Sequence, residues 1–192
     1  MDKTTTLTIA EGTKVIKRPA SQIEEFIIPA GTEIIEDFAF EDHSSLTLIT
    51  IPKSVTSIGD GAFCGCSSLK RIIIPGSVTS IGRYAFHGCS SLTKITISDS
   101  ADYIGDGAFY GCSALKEITI PNSLKNIRNF TFLNCSSLFE VTIPESVVSI
   151  EFGAFSGCSS LKSIYIDKKK GSLDLSKARI SARTMVYWRG EF

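Results

Sequence analysis

The segment Ile51-Pro-Lys-Ser-Val-Thr-Ser-Ile58-Gly-Asp-Gly-Ala-Phe63 returns 23 residues later as Ile74-Pro-Gly-Ser-Val-Thr-Ser-Ile81-Gly-Arg-Tyr-Ala-Phe86. The same frame runs without insertion or deletion through Ile97, Ile120, Ile143 and Ile166, and back to Ile28. A fixed period of this length marks a solenoid, in which each repeat is one rung stacked on the next. It also sorts the chain into columns of equivalent positions. A column that keeps its residue type is explained by stacking, so specific recognition belongs to the columns that vary.

The rung from Ile74 to Ile97 shows how the pattern folds. Leu92, Ile95 and Ile97 have the spacing L-x-x-I-x-I, with the period of two expected of a strand. At the equivalent boundary Pro75 ends the strand, because it has no N–H to give to a ladder. Val78 and Ile81 turn inward at the first corner. Gly82, Ala85 and Phe86 form a return piece, expected as a short helical turn, and Gly88-Cys89-Ser90-Ser91 makes the second corner. One rung cannot bury enough apolar surface to offset the entropy of ordering it, so stability comes from its neighbours. Slippage by one residue would turn each strand's apolar set outward, which keeps the register strict.

Cys66, Cys89, Cys112, Cys135 and Cys158 form one column, and Cys64 lies outside it. Stacked thiols project in parallel and cannot converge as a disulfide requires. They read as a ladder of small buried groups. A second column alternates: Phe38, Gly61, Tyr84, Gly107, Phe130, Gly153. Each glycine leaves room for the ring beside it, so this column too reads as packing.

The unit I-P-x-S-V-T-S-I-G-x-x-A-F-x-G-C-S-S-L-x-x-I-x resembles the BspA-type leucine-rich repeat family, closely over 28–166 and loosely over 9–27. The resemblance implies an α/β solenoid, mainly β. It would be a right-handed coil with a concave parallel sheet of about eight strands and short helical turns on the convex side. It also implies a non-enzymatic adhesion or protein-binding role in a bacterial cell-surface or secreted protein, with no catalytic residues to carry over. The N-terminal sequence shows no signal peptide, which leaves a cytoplasmic setting open. An intracellular or structural scaffold is the alternative function.

Composition narrows the partners. Lys plus Arg and Asp plus Glu number 20 each, so there is no basic surplus to attract nucleic acid or an anionic membrane. No apolar run is long enough to span a bilayer. The expected partner is a protein or a glycan, and no cofactor or metal is expected. On the strand face, Arg71, Lys94, Glu117 and Glu140 share one varying column, and Thr96, Thr119, Thr142 and Tyr165 another. Phe139 lies in a side column with Lys116 and Lys162. These residues are the candidate partner-binding set, with Phe139 and Tyr165 as aromatic anchors. The competing reading is a solvated polar face with Lys94 and Glu117 paired across strands. Glu41, Cys64, His87 and Tyr110 form the one column with a chemical look. A line of parallel side chains cannot close a tetrahedral metal site, so no catalytic or metal role is assigned. His43, in the cysteine column of its rung, reads as a capping core residue.

The expected domain plan is a single solenoid over 1–192. Residues 1–27 form a degenerate cap rung of 19 residues, 28–166 six repeats, and 167–192 a C-terminal cap. Met185-Val-Tyr-Trp188 falls where a further strand is due. Trp188 there either covers the open end of the core or docks a further domain.

Overall fold

The computed structural model describes residues 15–16 and 23–190. Its architecture is a parallel β-solenoid built from two stacks of strands. The longer strands are Glu25–Ile27, Leu48–Thr50, Arg71–Ile74, Lys94–Ile97, Glu117–Thr119, Glu140–Ile143, Ser163–Ile166 and Met185–Trp188. These eight strands supply the face expected as the concave sheet, with ladder pairing interrupted between the second and third. Every pairing within the repeats is parallel and offset by one repeat, as in Arg71 with Lys94 and Glu140 with Ser163. Met185–Trp188 is the further strand the pattern calls for, and pairs with Ser163–Ile166.

A second stack went unforeseen. Two-residue strands Val15–Ile16, Ile34–Ile35, Ser57–Ile58, Ser80–Ile81, Tyr103–Ile104, Asn126–Ile127 and Ser149–Ile150 also pair in parallel, in two groups. They sit where the sequence suggests only a corner. The last isoleucine of each is buried, and its carbonyl joins the ladder, as when Gly82 N donates to Ile58 O. Ile16 pairs with Ile35, which is the offset of 19 expected for the first rung. The rest of the expected cap, Ile9 and Lys17 to Ala20, lies outside the described residues.

The helical turns expected on the return side are not helices. Among the described residues no helix forms, and the return pieces are chains of tight turns. Alternate N–H groups look in different directions: His87 N and Cys89 N bond to carbonyls three residues back, while Tyr84 N, Phe86 N and Gly88 N bond to Asp106, Ala108 and Tyr110 of the next rung. A helix needs every N–H to bond four residues back along its own segment. Left-handed residues at Tyr84 and Gly88 (φ 53° and 70°) break any such run.

The core is one continuous column of apolar side chains from Ile16 to Ala178. At its centre Phe40, Phe63, Phe86, Phe109, Phe132 and Phe155 stack, with successive centroids 5.2–5.6 Å apart and planes within 15°. Phe26 closes the N-terminal side edge-on to Phe40 at 5.2 Å. At the other end Leu173 and Ala178 are buried, and Leu175, Ile180, Val186 and Trp188 pack against the core. The carbonyls of Lys177 and Ala178 accept the bonds from Gly153 N and Phe155 N that another rung would otherwise accept.

The cysteine column is buried, and its thiols are hydrogen-bond donors as well as fillers. Cys66, Cys89, Cys112, Cys135 and Cys158 Sγ lie 3.1–3.2 Å from the carbonyls of Phe40, Phe63, Phe86, Phe109 and Phe132, each in the preceding rung. His43 is buried in the same column, its ring edge-on to Phe40 and its Nδ1 3.2 Å from the Glu41 carbonyl. In the alternating column all six residues have left-handed backbones, φ 53–65°. A Cβ on Gly61 would come within 2.5 Å of the Phe38 ring, and one on Gly153 within 2.9 Å of the Phe130 ring. Each ring therefore lies over the glycine of the next rung.

Candidate functional site

The longer strands expose alternate residues, because the period of two buries Ile72, Ile95, Ile118, Val141 and Ile164 on the other side. Register then lines the outward residues into two columns. One reads Glu25, Leu48, Arg71, Lys94, Glu117, Glu140, Ser163, Met185, and the other Ile27, Thr50, Ile73, Thr96, Thr119, Thr142, Tyr165, Tyr187. Lys94, Glu117, Glu140, Thr96, Thr119 and Thr142 together line a shallow concavity of about 440 Å³ at the middle of the face. Arg71 adjoins it one rung earlier, and Tyr165 and Phe139 lie towards the C-terminal end.

The charges are partly paired. Lys94 Nζ donates to Glu117 Oε1 at 3.1 Å, the cross-strand pair expected from the sequence. With both side chains about 60% exposed, such a pair is worth no more than about 1 kcal/mol. Arg71 and Glu140 have no ion-pair partner among the described residues. Each lies beside a like charge, Arg71 next to Lys94 and Glu140 next to Glu117.

The aromatic end is held by cations. Lys162 Nζ sits 4.9 Å from the Phe139 ring centre, and the Arg189 guanidinium 3.8 Å from that of Tyr165. Tyr165 also stacks on Tyr187 at 5.2 Å. Tyr187 and Arg189 belong to the terminal strand and its exit, whose sequence departs from the repeat, so the column reading did not reach them. The opposite end differs from the polar face the sequence suggested. Ile27 and Ile73 are 69% and 70% exposed, and with Leu48 they make the first rungs apolar. Leu48, Thr50, Arg71 and Ile73 line a second concavity of about 400 Å³ there. The strand alternation that predicts burial of Ile72 also predicts exposure of Ile73, and this was the available signal.

The column of Glu41, Cys64, His87 and Tyr110 is assembled as the period requires. Cys64 Sγ lies 3.5 Å from His87 Nδ1, and the His87 ring stacks on Tyr110 at 4.6 Å. The thiol is nevertheless held above its ordinary pKa, first by burial and then by the charges of Glu41 and Asp42. A nucleophilic cysteine needs the reverse shift. Among the described residues no cluster of three or more His, Cys, Asp or Glu side chains is placed to hold a metal ion. No helix there is long and apolar enough to cross a membrane.

With the rungs, register and buried columns in view, the comparisons with known proteins decide the family. The model of the BspA type leucine rich repeat region matches in six copies, over residues 16–100 and 79–176. The chain belongs to that family. A leucine-rich repeat protein of T. pallidum is similar in structure with a TM-score of 0.76 and 32% identity, over 78% of this chain and 72% of that one. One from Bacteroides ovatus has a TM-score of 0.53 and 25% identity, over 86% of this chain and 54% of that one. This BspA-type chain thus spans about half the length of the second structure. No curated protein sequence matches it. It is a leucine-rich repeat protein of bacterial type.

Proposed function

We propose that the chain is a non-enzymatic protein-binding module that engages its partner through the longer-strand face. Its role would be the adhesive, cell-surface one that the BspA-type family implies, carried by a single solenoid over 1–192. Arg71, Lys94, Glu117, Glu140, Thr96, Thr119 and Thr142 form the polar centre of the contact, and Phe139 and Tyr165 its aromatic anchors. One observation carries the reading. The charged column changes residue type from rung to rung, and the second column does so towards its ends, while the column buried behind them stays apolar throughout and the outward side chains take no part in the core. Charged positions favour a protein partner, because they discriminate among partners and steer association.

The test is a panel of bacterial and host surface proteins, measured by surface plasmon resonance against the unaltered chain and a Glu117→Lys/Glu140→Lys variant. The expected result is a partner whose binding falls at least tenfold in the variant. Undiminished binding of every partner found would remove this face from consideration.

A further inference from the structure

The charged column on the longer-strand face has a symmetry that a single chain does not use. Its four central residues run Arg71, Lys94, Glu117, Glu140, two positive and then two negative, on neighbouring strands. Among the described residues three strands of the face lie before Lys94 and three after Glu117, so the change of sign falls at the middle of the eight described strands. Among the described residues only the central pair, Lys94 with Glu117, meets as an ion pair. The outer two charges each flank a like charge in register, which disfavours the sheet locally.

We infer that this face binds a second copy of the same chain, antiparallel and face to face, about a two-fold axis between Lys94 and Glu117. The inference rests on the reading that the face binds protein, and names the partner. The axis lies along the strand direction. Rotation about it reverses the order of rungs but keeps each column opposite itself. Arg71 then faces the second copy's Glu140, and Lys94 its Glu117, with each pairing repeated by symmetry, as an isologous contact requires. Across the shallow concavity that each face has at its middle, these long side chains complete a square of alternating charges.

The rest of the face agrees. Thr96 meets Thr119, and the exposed Ile27 comes opposite Tyr187; in the side column Thr47, Lys70, Thr93, Lys116, Phe139, Lys162, Lys70 comes opposite Phe139 and Lys116 opposite Thr93. No like charges face each other in any of the three exposed columns. A parallel copy with the charged columns opposed would set Arg71 against Arg71 and Glu140 against Glu140, so among the arrangements that bring these columns together the charge pattern selects the antiparallel one. The two central columns offer about sixteen positions a side over eight strands, against about 20–30 in a standard interface. The dimer is therefore a weak one that dissociates in salt.

Sedimentation velocity over a concentration series, at low and at high salt, tests the arrangement with charge-reversal variants. The unaltered chain should self-associate at low salt, with association weakened at least tenfold in about 0.5 M salt. Arg71→Glu sets carboxylate against carboxylate across the interface, and Glu140→Arg sets guanidinium against guanidinium, so each variant alone should be monomeric. Mixed, the two restore both opposite-charge pairs and should form a heterodimer. The double variant Arg71→Glu/Glu140→Arg should dimerise by itself. Since these positions are exposed, a folding defect cannot produce loss in each single variant and recovery on mixing. A chain monomeric at all concentrations in low salt, or single variants that do not recover on mixing, would overturn the antiparallel dimer. Either result would leave partner capture by the same face to the surface-protein panel, so the two readings fail separately.

Discussion

The stacked phenylalanines offer the sharpest test of how this chain holds together. Phe86 and Phe109 lie 5.6 Å apart with planes 9° from parallel, and both are fully buried. Phe→Leu at either position keeps an apolar side chain and removes one ring with its two stacking contacts, at a cost of about 1–3 kcal/mol. If ring-on-ring contact across rungs contributes beyond volume filling, the two changes together should cost less than their sum. The expected coupling is about 0.5–1.5 kcal/mol, the usual worth of an aromatic pair. Phe63 and Phe132 supply the internal control. They stand in the same column but are separated by Phe86 and Phe109, and share no stacking partner. Their coupling should stay within about 0.3–0.5 kcal/mol of zero. Urea unfolding followed by circular dichroism reads both cycles. At a slope of about 2 kcal/mol per molar, a coupling of 1 kcal/mol appears as a midpoint displacement of about half a molar. Equal couplings in the adjacent and separated pairs would refute the idea that stacking, rather than apolar filling, links the rungs.

Three further outcomes follow from the cysteine column and the ring-over-glycine column. Burial holds the column thiols above their usual range, with Cys66 and Cys158 pushed up to about 12. An aromatic disulfide reagent at neutral pH should therefore modify Cys64 slowly, leave the other five untouched, and titrate all six only after denaturation. The same shifts set the pH dependence: the folded state keeps protons that the unfolded thiols lose near their ordinary value of about 8.5. Their contribution to stability is fully present below that pH and falls as pH rises towards the folded value, so the urea midpoint should drop between neutral pH and pH 10. An unchanged midpoint would count against buried, protonated thiols. At Gly107, with φ 61° and the Tyr84 ring lying over it, alanine should cost at least about 1–2 kcal/mol for the left-handed backbone alone. Tyr84→Ala in the same chain should relieve only the ring collision, and a neutral Gly107→Ala measured by thermal unfolding would contradict the packing account of the alternation.

Much of the molecule was legible because stacking turns a sequence interval into a spatial neighbour. The Lys94–Glu117 pair, the cysteine ladder and the ring-over-glycine alternation all follow from adding one repeat length to a residue number, and the final strand at Met185–Trp188 falls within one residue of that interval. The candidate face was legible in the same way, down to which residues share a column. Its apolar N-terminal end is invisible to charge and follows only from strand alternation, which turns Ile27 and Ile73 outward. Tyr187 and Arg189 escaped because the last rung closes at an offset of 22, outside the repeat frame.

What the amino-acid sequence determined by itself is the period, the parallel register, the inward columns and the family. Each depends only on which residues recur at which interval. What the tertiary structure decided is where individual polar groups find partners. A backbone N–H in the return segment can bond within its own turn or to the next rung, and a buried thiol can simply fill space or donate to a carbonyl. The composition of the rung permits both choices in each case. The outcome depends on the height and rotation between stacked rungs, which bring Phe86 N to Ala108 O and Cys112 Sγ to Phe86 O. That geometry replaces the expected helical turns by inter-rung ladders, and it leaves Arg71 and Glu140 outward without an ion pair among the described residues.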